Sequence, residues 1–134
     1  LNPPAEQPPD WNLNELSLAL KLTCRGRSAL LCADMEYKAE RALIMSAKGF
    51  KAELVQVGHH GSDTSSVPEF ITSSGATDAL ISAGRYNRYG HPSRNVIQLW
   101  KKSGANVWRT DLSGAVECIG KSEYWRCNPL LSGR

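Results

Sequence analysis

From Leu16 to Leu22 the apolar residues fall at every second position (Leu16, Leu18, Leu20, Leu22), the period of a strand with one buried face. Arg25-Gly26-Arg27-Ser28 then turns the chain into the apolar run Ala29–Cys32, which predicts a hairpin. After this hairpin a short apolar strand running into a polar loop that opens a helix occurs three times. The first unit is Ala29–Cys32, the loop at Asp34, and a helix over about Glu36–Ala47 ended by Gly49. The second is Glu53–Val57, the loop Gly58–Ser66, and a short helix from about Val67 to Thr72. The third is Asp78–Ala83, the loop Gly84–His91, and a helix opening at Pro92, which suits a first turn, and closing at Gly104, which suits an end. Strands at Asn106–Thr110 and Ala115–Ile119 follow around the turn Asp111–Gly114. A last hairpin joins Gly114–Gly120 to Tyr124–Asn128. Strands alternating with helices in this way predict an α/β fold, a mixed sheet with flanking helices.

The opening stretch departs from this pattern. Residues 2–10 carry four prolines and cannot sustain a helix or a central strand, so residues 1–10 read as a linker or loop. The remaining residues, 11–134, are enough for one core of ordinary size. The chain opens on Leu1 rather than Met, without a charged-then-apolar leader, and is expected to be a piece of something longer. With 41% hydrophobic and 22% charged residues it has a globular rather than a disordered composition. A net charge of +3 permits contact with nucleic acid or anionic lipid without arguing for either.

Cys24, Cys32, Cys118 and Cys127 show no zinc-finger spacing. If Ser122-Glu123 forms the last hairpin turn, Cys118 faces Cys127 at a non-hydrogen-bonded position, where a bridge is possible; two buried thiols are the alternative. A bridge would mean an oxidising compartment.

In α/β sheets ligands bind beyond the carboxyl ends of the strands, and three such positions here are chemically loaded. They are Asp34, His59-His60-Gly61-Ser62-Asp63, and Arg85-Tyr86-Asn87-Arg88-Tyr89-Gly90-His91. All three histidines lie in two of these loops. An Asp and a neutral His from adjacent strand ends can share a borderline metal such as zinc, or manganese among oxygen ligands. Asp34 just before a helix also reads as an N-cap, and each histidine as a hydrogen-bonded loop residue. Arg85 and Arg88 with Tyr86 and Tyr89 suit a phosphodiester, guanidinium gripping phosphate and ring stacking on base; a solvated loop is the other reading. Ser62 to Ser66 read as caps of the following helix, and no serine lies in a nucleophile elbow.

Four stretches also resemble one family. Val57-Gly58-His59-His60-Gly61-Ser62-Asp63-Thr64-Ser65-Ser66 resembles the late histidine motif of the ComEC branch of the metallo-β-lactamase superfamily. Ser28-Ala29-Leu30-Leu31-Cys32-Ala33-Asp34-Met35-Glu36 is similar to its strand ending in L-L-T-G-D-x-E. Ala83 to Pro92 resembles its N-x-Y-G-H-P loop, and Arg109-Thr110-Asp111 with Gly114-Ala115 its R-T-D-x-x-G-A strand pair. The likeness runs from about Trp11 to Ile119. It implies that residues 11–134 are the C-terminal part, and the fold one half, of a metallo-β-lactamase αββα sandwich whose N-terminal half is absent. It further implies two divalent ions, zinc or manganese, in the complete domain, with Asp34 bridging and His60, or else His59, binding one. The other histidine of the pair and His91 would act on the substrate phosphate, with Arg85, Arg88, Tyr89 and Ser62 binding the strand. The activity implied is that of a phosphodiesterase or nuclease of a DNA-uptake channel, extracytoplasmic at an inner membrane, with incoming or single-stranded DNA and the rest of the parent channel as partners.

Two departures qualify this. Ala33 stands where the family's usual glycine precedes the aspartate, read as a mild change. The family's earlier H-x-H-x-D-H motif is missing, so the isolated chain is expected to be inactive or a weak binder of one metal. A non-catalytic nucleic-acid-binding or scaffolding domain of the same fold, and a hydrolase of small phosphoesters, are the other readings. Self-association through the face left by the missing half is also expected.

Overall fold

The computed structural model describes residues 1–46 and 49–130. Strands β1 (Leu20–Cys24) and β2 (Arg27–Leu31) form the expected antiparallel hairpin. It is closed by Arg25 and Gly26, both at positive φ, as a two-residue turn matching strand twist requires. Strand–helix units follow: α1 (Tyr37–Met45), β3 (Leu54–Gln56), α2 (Pro68–Ser74), β4 (Asp78–Ile81), α3 (Arg94–Lys102) and β5 (Asn106–Arg109). Strands β2 to β5 are parallel and lie in chain order, with β1 antiparallel at the edge. The fold is the expected mixed α/β sheet. A one-turn helix α4 (Thr110–Ser113) takes the place of the predicted Asp111–Gly114 turn, and a separate hairpin of β6 (Val116–Gly120) and β7 (Trp125–Pro129) ends the described chain. The predicted end of the first helix at Ala47 and residues 131–134 lie outside the described residues. No helix among the described residues is long and apolar enough to cross a membrane.

The two faces of the sheet are covered differently. On one, Leu30, Val55, Val57, Ala79 and Ile81 meet Ala39 and Leu43 of α1, Phe70 and Ile71 of α2, and Val96 and Trp100 of α3 in a single buried cluster. These strand residues are near-continuously apolar, as parallel strands under helices are. On the other face the β6–β7 hairpin lays Val116, Cys118, Trp125 and Cys127 over Ala29, Leu54, Leu80 and Trp108. Cys118 pairs with Cys127 across the hairpin and forms a disulfide with it, the first of the two sequence alternatives.

Three expectations need correction. The strand alternation was read one turn too early: residues 13–16 form turns, and β1 begins at Leu20. Leu18, Leu20 and Leu22, expected to face the core, are 57%, 42% and 55% exposed, because the β6–β7 hairpin stops short of them and only Ala19 between them is buried. Helix α3 opens at Ser93, whose hydroxyl accepts from Val96 N, and not at Pro92. Residues 1–10, read as a linker or loop, form a loop anchored at its start: the buried Asn2 donates to the Glu15 and Ser17 carbonyls and bridges to Ala19.

Buried carboxylates tie the loops to the helices. Glu15 accepts from Lys38 N and Ala39 N and so caps α1 from outside the helix. Glu40, on α1, accepts from Ser66 N and Val67 N at 2.7 and 2.8 Å. Burial pushes the Glu40 carboxyl up to about 7, against the two backbone N–H bonds that favour its charge. A carboxyl raised in the folded state contributes stability fully present below its ordinary 4.5 and lost as pH rises towards 7. Glu40→Gln, which resembles the protonated carboxyl, is expected to match wild type closely near pH 5 and to become the more stable of the two towards pH 8 in urea titrations, because only wild type then loses stability. A variant that loses ground to wild type as pH rises contradicts this. The turn after β2 gives a second test: Ala33 has φ +47°, left-handed backbone that disfavours a Cβ. The glycine of the resembling family suits this conformation, so Ala33 is a strained rather than a mild replacement. Ala33→Gly is expected to raise stability by about 1 kcal/mol, read as a higher melting temperature.

Candidate active site

Leu31, Gln56 and Leu80 stand opposite one another across β2, β3 and β4, so the three strands end at one level. The loops that follow therefore start side by side. The Gln56 side chain binds two of them together, its carbonyl accepting from Cys32 N and Ala33 N at 3.0 and 3.1 Å. His59 N adds a bond to Ala33 O.

The Gly58–Gly61 turn that follows β3 is compressed against its neighbours. A Cβ at Gly58 would collide with the carbonyl of Met35, and one at Gly61 would lie 2.7 Å from Pro92 Cβ. Between these glycines His59 and His60 both take positive φ, 46° and 55°. Such backbone costs about 1–3 kcal/mol per residue and persists where the surroundings fix it. Here it aims the two rings at different partners.

His60 Nδ1 lies 2.8 Å from Ser82 O; since a carbonyl only accepts, Nδ1 carries the proton and Nε2 of the neutral ring keeps its lone pair. That Nε2 lies 3.4 Å from Asp34 Oδ1. His59 Nδ1 lies 2.9 Å from Glu36 Oε1, which likewise orients Nε2 outward. Burial pushes the Glu36 carboxyl up, but hydrogen bonds from Asn12, Asn14 and Thr64 and the charge of His59 hold it below its ordinary value. His91 stands edge-on to His59 at 5.6 Å and stacks on Tyr89 at 5.9 Å. Its loop is closed by Asn87, which accepts from His91 N and donates to His91 O. Burial first, then the charges of His59 and His60, lower the His91 pKa, which favours the uncharged ring. A cavity of about 270 Å³, lined by His60, Ser82, Gly84, Asn87, Tyr89 and His91, opens beside them.

Asp34, His59, His60 and His91 are thus brought together. Asp34 is not a helix cap: Glu36 occupies that position, and the Asp34 carboxylate, 48% exposed, faces His60. The other predicted residues sit further out. Arg85 spends its guanidinium on the Asp111 and Leu112 carbonyls. Arg88 lies over the Tyr89 ring at 5.0 Å and donates to its hydroxyl. Tyr86 is 92% exposed. Ser62 is buried, its Oγ 3.0 Å from the Thr64 hydroxyl. Glu36, the carboxylate behind His59, was not singled out from sequence, although it closes the Asp34-Met35-Glu36 stretch and was visible there.

The donor set fits part of a metal site. Two ligands on a tetrahedral ion with bonds of about 2.1 Å stand about 3.4 Å apart, the separation found between Asp34 Oδ1 and His60 Nε2. No group of three or more His, Cys, Asp or Glu side chains able to hold one ion occurs among the described residues. Further ligands would have to come from outside them.

No family model matches the chain, and no solved structure matches it. Curated proteins do. ComE operon protein 3 of Bacillus subtilis is 38% identical over 112 residues, 84% of this chain and 14% of that protein. Competence protein ComA of Neisseria gonorrhoeae is 33% identical over 105 residues, 78% of this chain and 15% of that protein. Recombination protein 2 of Haemophilus influenzae is 38% identical over 90 residues, 66% of this chain and 11% of that protein. The chain spans about one seventh of the length of the first two relatives. By sequence the chain is similar to one segment of these much longer chains.

Proposed function

We propose that the chain supplies one side of a metal-dependent phosphodiesterase site acting on DNA during uptake, as the C-terminal part of a metallo-β-lactamase-like domain. The observation that carries this reading is the Asp34–His60 pair at adjacent strand ends, its Oδ1 and Nε2 3.4 Å apart as two ligands of one ion would be, with His59 and His91 beside it. Asp34 and His60 would hold zinc or manganese; a second ion of a two-metal site would take Asp34 as the shared ligand. A divalent ion there makes water a stronger acid and offsets charge on phosphoryl oxygens. The chain's own residues do the rest. Neutral His91 donates a hydrogen bond to a phosphate oxygen at the cavity. His59, backed by Glu36, takes up or delivers a proton at Nε2. Tyr89 offers a ring for a base, and Arg88 beside it a charge for phosphate.

The competence named in one relative fits a part in DNA uptake, and the disulfide, which persists in oxidising compartments, fits an extracytoplasmic place for the chain. That no third His, Cys, Asp or Glu joins this pair among the described residues favours a second reading, a domain that binds nucleic acid without cutting it.

The test is metal content and manganese- or zinc-dependent hydrolysis of single-stranded DNA, comparing this chain with the longer parent protein. Only the parent is expected to bind about two ions and cut, with Asp34→Ala and His60→Ala each lowering hydrolysis at least 100-fold. A metal-free, inactive parent that still binds DNA would establish the second reading.

Leu18, Leu20, Leu22 and Leu31 form an exposed apolar row on the sheet face beside the β6–β7 hairpin. We propose that the isolated chain self-associates there. Sedimentation velocity is expected to show dimers or larger species that revert to monomer in Leu20→Lys/Leu22→Lys; a monodisperse wild-type monomer rejects the idea.

A further inference from the structure

A second concave surface adjoins the histidine cluster. A groove of about 530 Å³ is lined by Gly90, Pro92, Arg94, Ile97, Gln98 and Lys101, with Arg109 at its side. Gly90 and Pro92 flank His91, so the groove begins on the other side of the loop that walls the cavity. Arg94, Gln98 and Lys101 recur at helical spacing on one face of α3, while Val96 and Trp100 hold the opposite face in the core.

The charges in this groove are not balanced. Arg109 is paired with Asp111. Arg94 and Lys101 form no ion pair among the described residues, and both are exposed. Asp63, beside the start of α3, accepts from the Ser93 hydroxyl at 2.6 Å. Seven residues of helix set Arg94 and Lys101 about 10 Å apart, the reach of about three stacked nucleotides at about 3.4 Å each. Ile97 supplies an apolar floor, and Gln98 a donor and an acceptor for phosphate or sugar.

We infer that this face of α3 is a track for the phosphodiester backbone of a nucleic-acid strand that runs on past Gly90–Pro92 towards the histidine cavity. The direction of the strand rests on the phosphodiesterase reading; the binding itself does not. The track makes the substrate a polymer held several nucleotides from the point of reaction, rather than a small phosphoester held in the cavity alone. A concave groove that reaches the loop walling the cavity suits a strand better than the flat surface of a membrane.

The test uses this chain in EDTA and a fluorescein-labelled 20-nucleotide oligothymidylate, with anisotropy followed across salt concentrations. Each lost phosphate contact removes about 0.7 from the slope of log affinity against log salt. Arg94→Gln/Lys101→Gln is therefore expected to flatten the slope by about 1.4 and to weaken binding roughly 20-fold at 0.1 M salt. Lys51→Gln/Lys102→Gln, with the same change in net charge outside the groove, is expected to leave both unchanged. Equal effects of the two double variants, or no oligonucleotide binding by wild type, overturns the proposal. So does an unaltered slope in Arg94→Gln/Lys101→Gln accompanied by lost co-sedimentation with phosphatidylglycerol vesicles, which would assign the groove to lipid. Because the assay excludes metal, loss of hydrolysis in the parent protein with groove-dependent binding intact would refute only the phosphodiesterase reading.

Discussion

The register that sets Leu31, Gln56 and Leu80 in one row is the constraint on which the rest of the site depends. Parallel strands in chain order deliver their loops to one edge, and each loop here begins within a few residues of that row. Gln56 then fixes the first loop to the second through Cys32 N and Ala33 N. A one-residue slip of β3 would move Gln56 to the other face and undo both bonds. Leu54 would exchange its place under the hairpin for one under the helices at the same time.

Around this row the fold accepts backbone strain and confines it. Ala33, His59, His60 and Ser66 are all non-glycine residues at positive φ, and all lie in the first two loops of the site. Tertiary bonds hold these loops in place: Trp100 Nε1 donates to Ser66 Oγ at 3.0 Å, Glu40 accepts from Ser66 N, and His59 N binds Ala33 O. Strain retained where many contacts converge marks a site whose geometry matters more than its local energy. The site and the core are therefore coupled, since α1 and α3 both reach the loop that presents the histidines.

The two sheet faces divide the roles. The helix face is complete, with Trp100, Phe70, Leu30 and Ile81 fully buried. The other face is covered only where the disulfide-bridged hairpin reaches, and an apolar leucine row continues beyond it. A contiguous apolar row left exposed on a sheet face marks a surface for association. The phosphodiesterase reading and the self-association reading meet here: the same domain that lacks a third metal ligand among its described residues also exposes an uncovered sheet face.

The strand–helix alternation, the hairpins, the pairing of Cys118 with Cys127 and the gathering of Asp34, His59, His60 and His91 were readable from the chain, because short apolar runs, glycine-bearing turns and residues just past strand ends are local signals. What burial each β1 leucine receives was not readable. Period 2 says that Leu18, Leu20 and Leu22 share a face, but only the extent of the hairpin decides whether that face is covered. The sequence likewise marked Asp34 equally as cap or ligand, and only the placement of Glu36 at the helix start freed it to face His60. Arg85 looked like a phosphate grip because its neighbours are polar; the tertiary structure turns it to the Asp111 and Leu112 carbonyls. By itself, then, the sequence determined the elements, their order and the strand ends that carry chemistry. The tertiary structure decided which side chains are spent on backbone, which are left for a ligand, and why Ala33 is strained, because those outcomes turn on contacts between residues far apart in the chain.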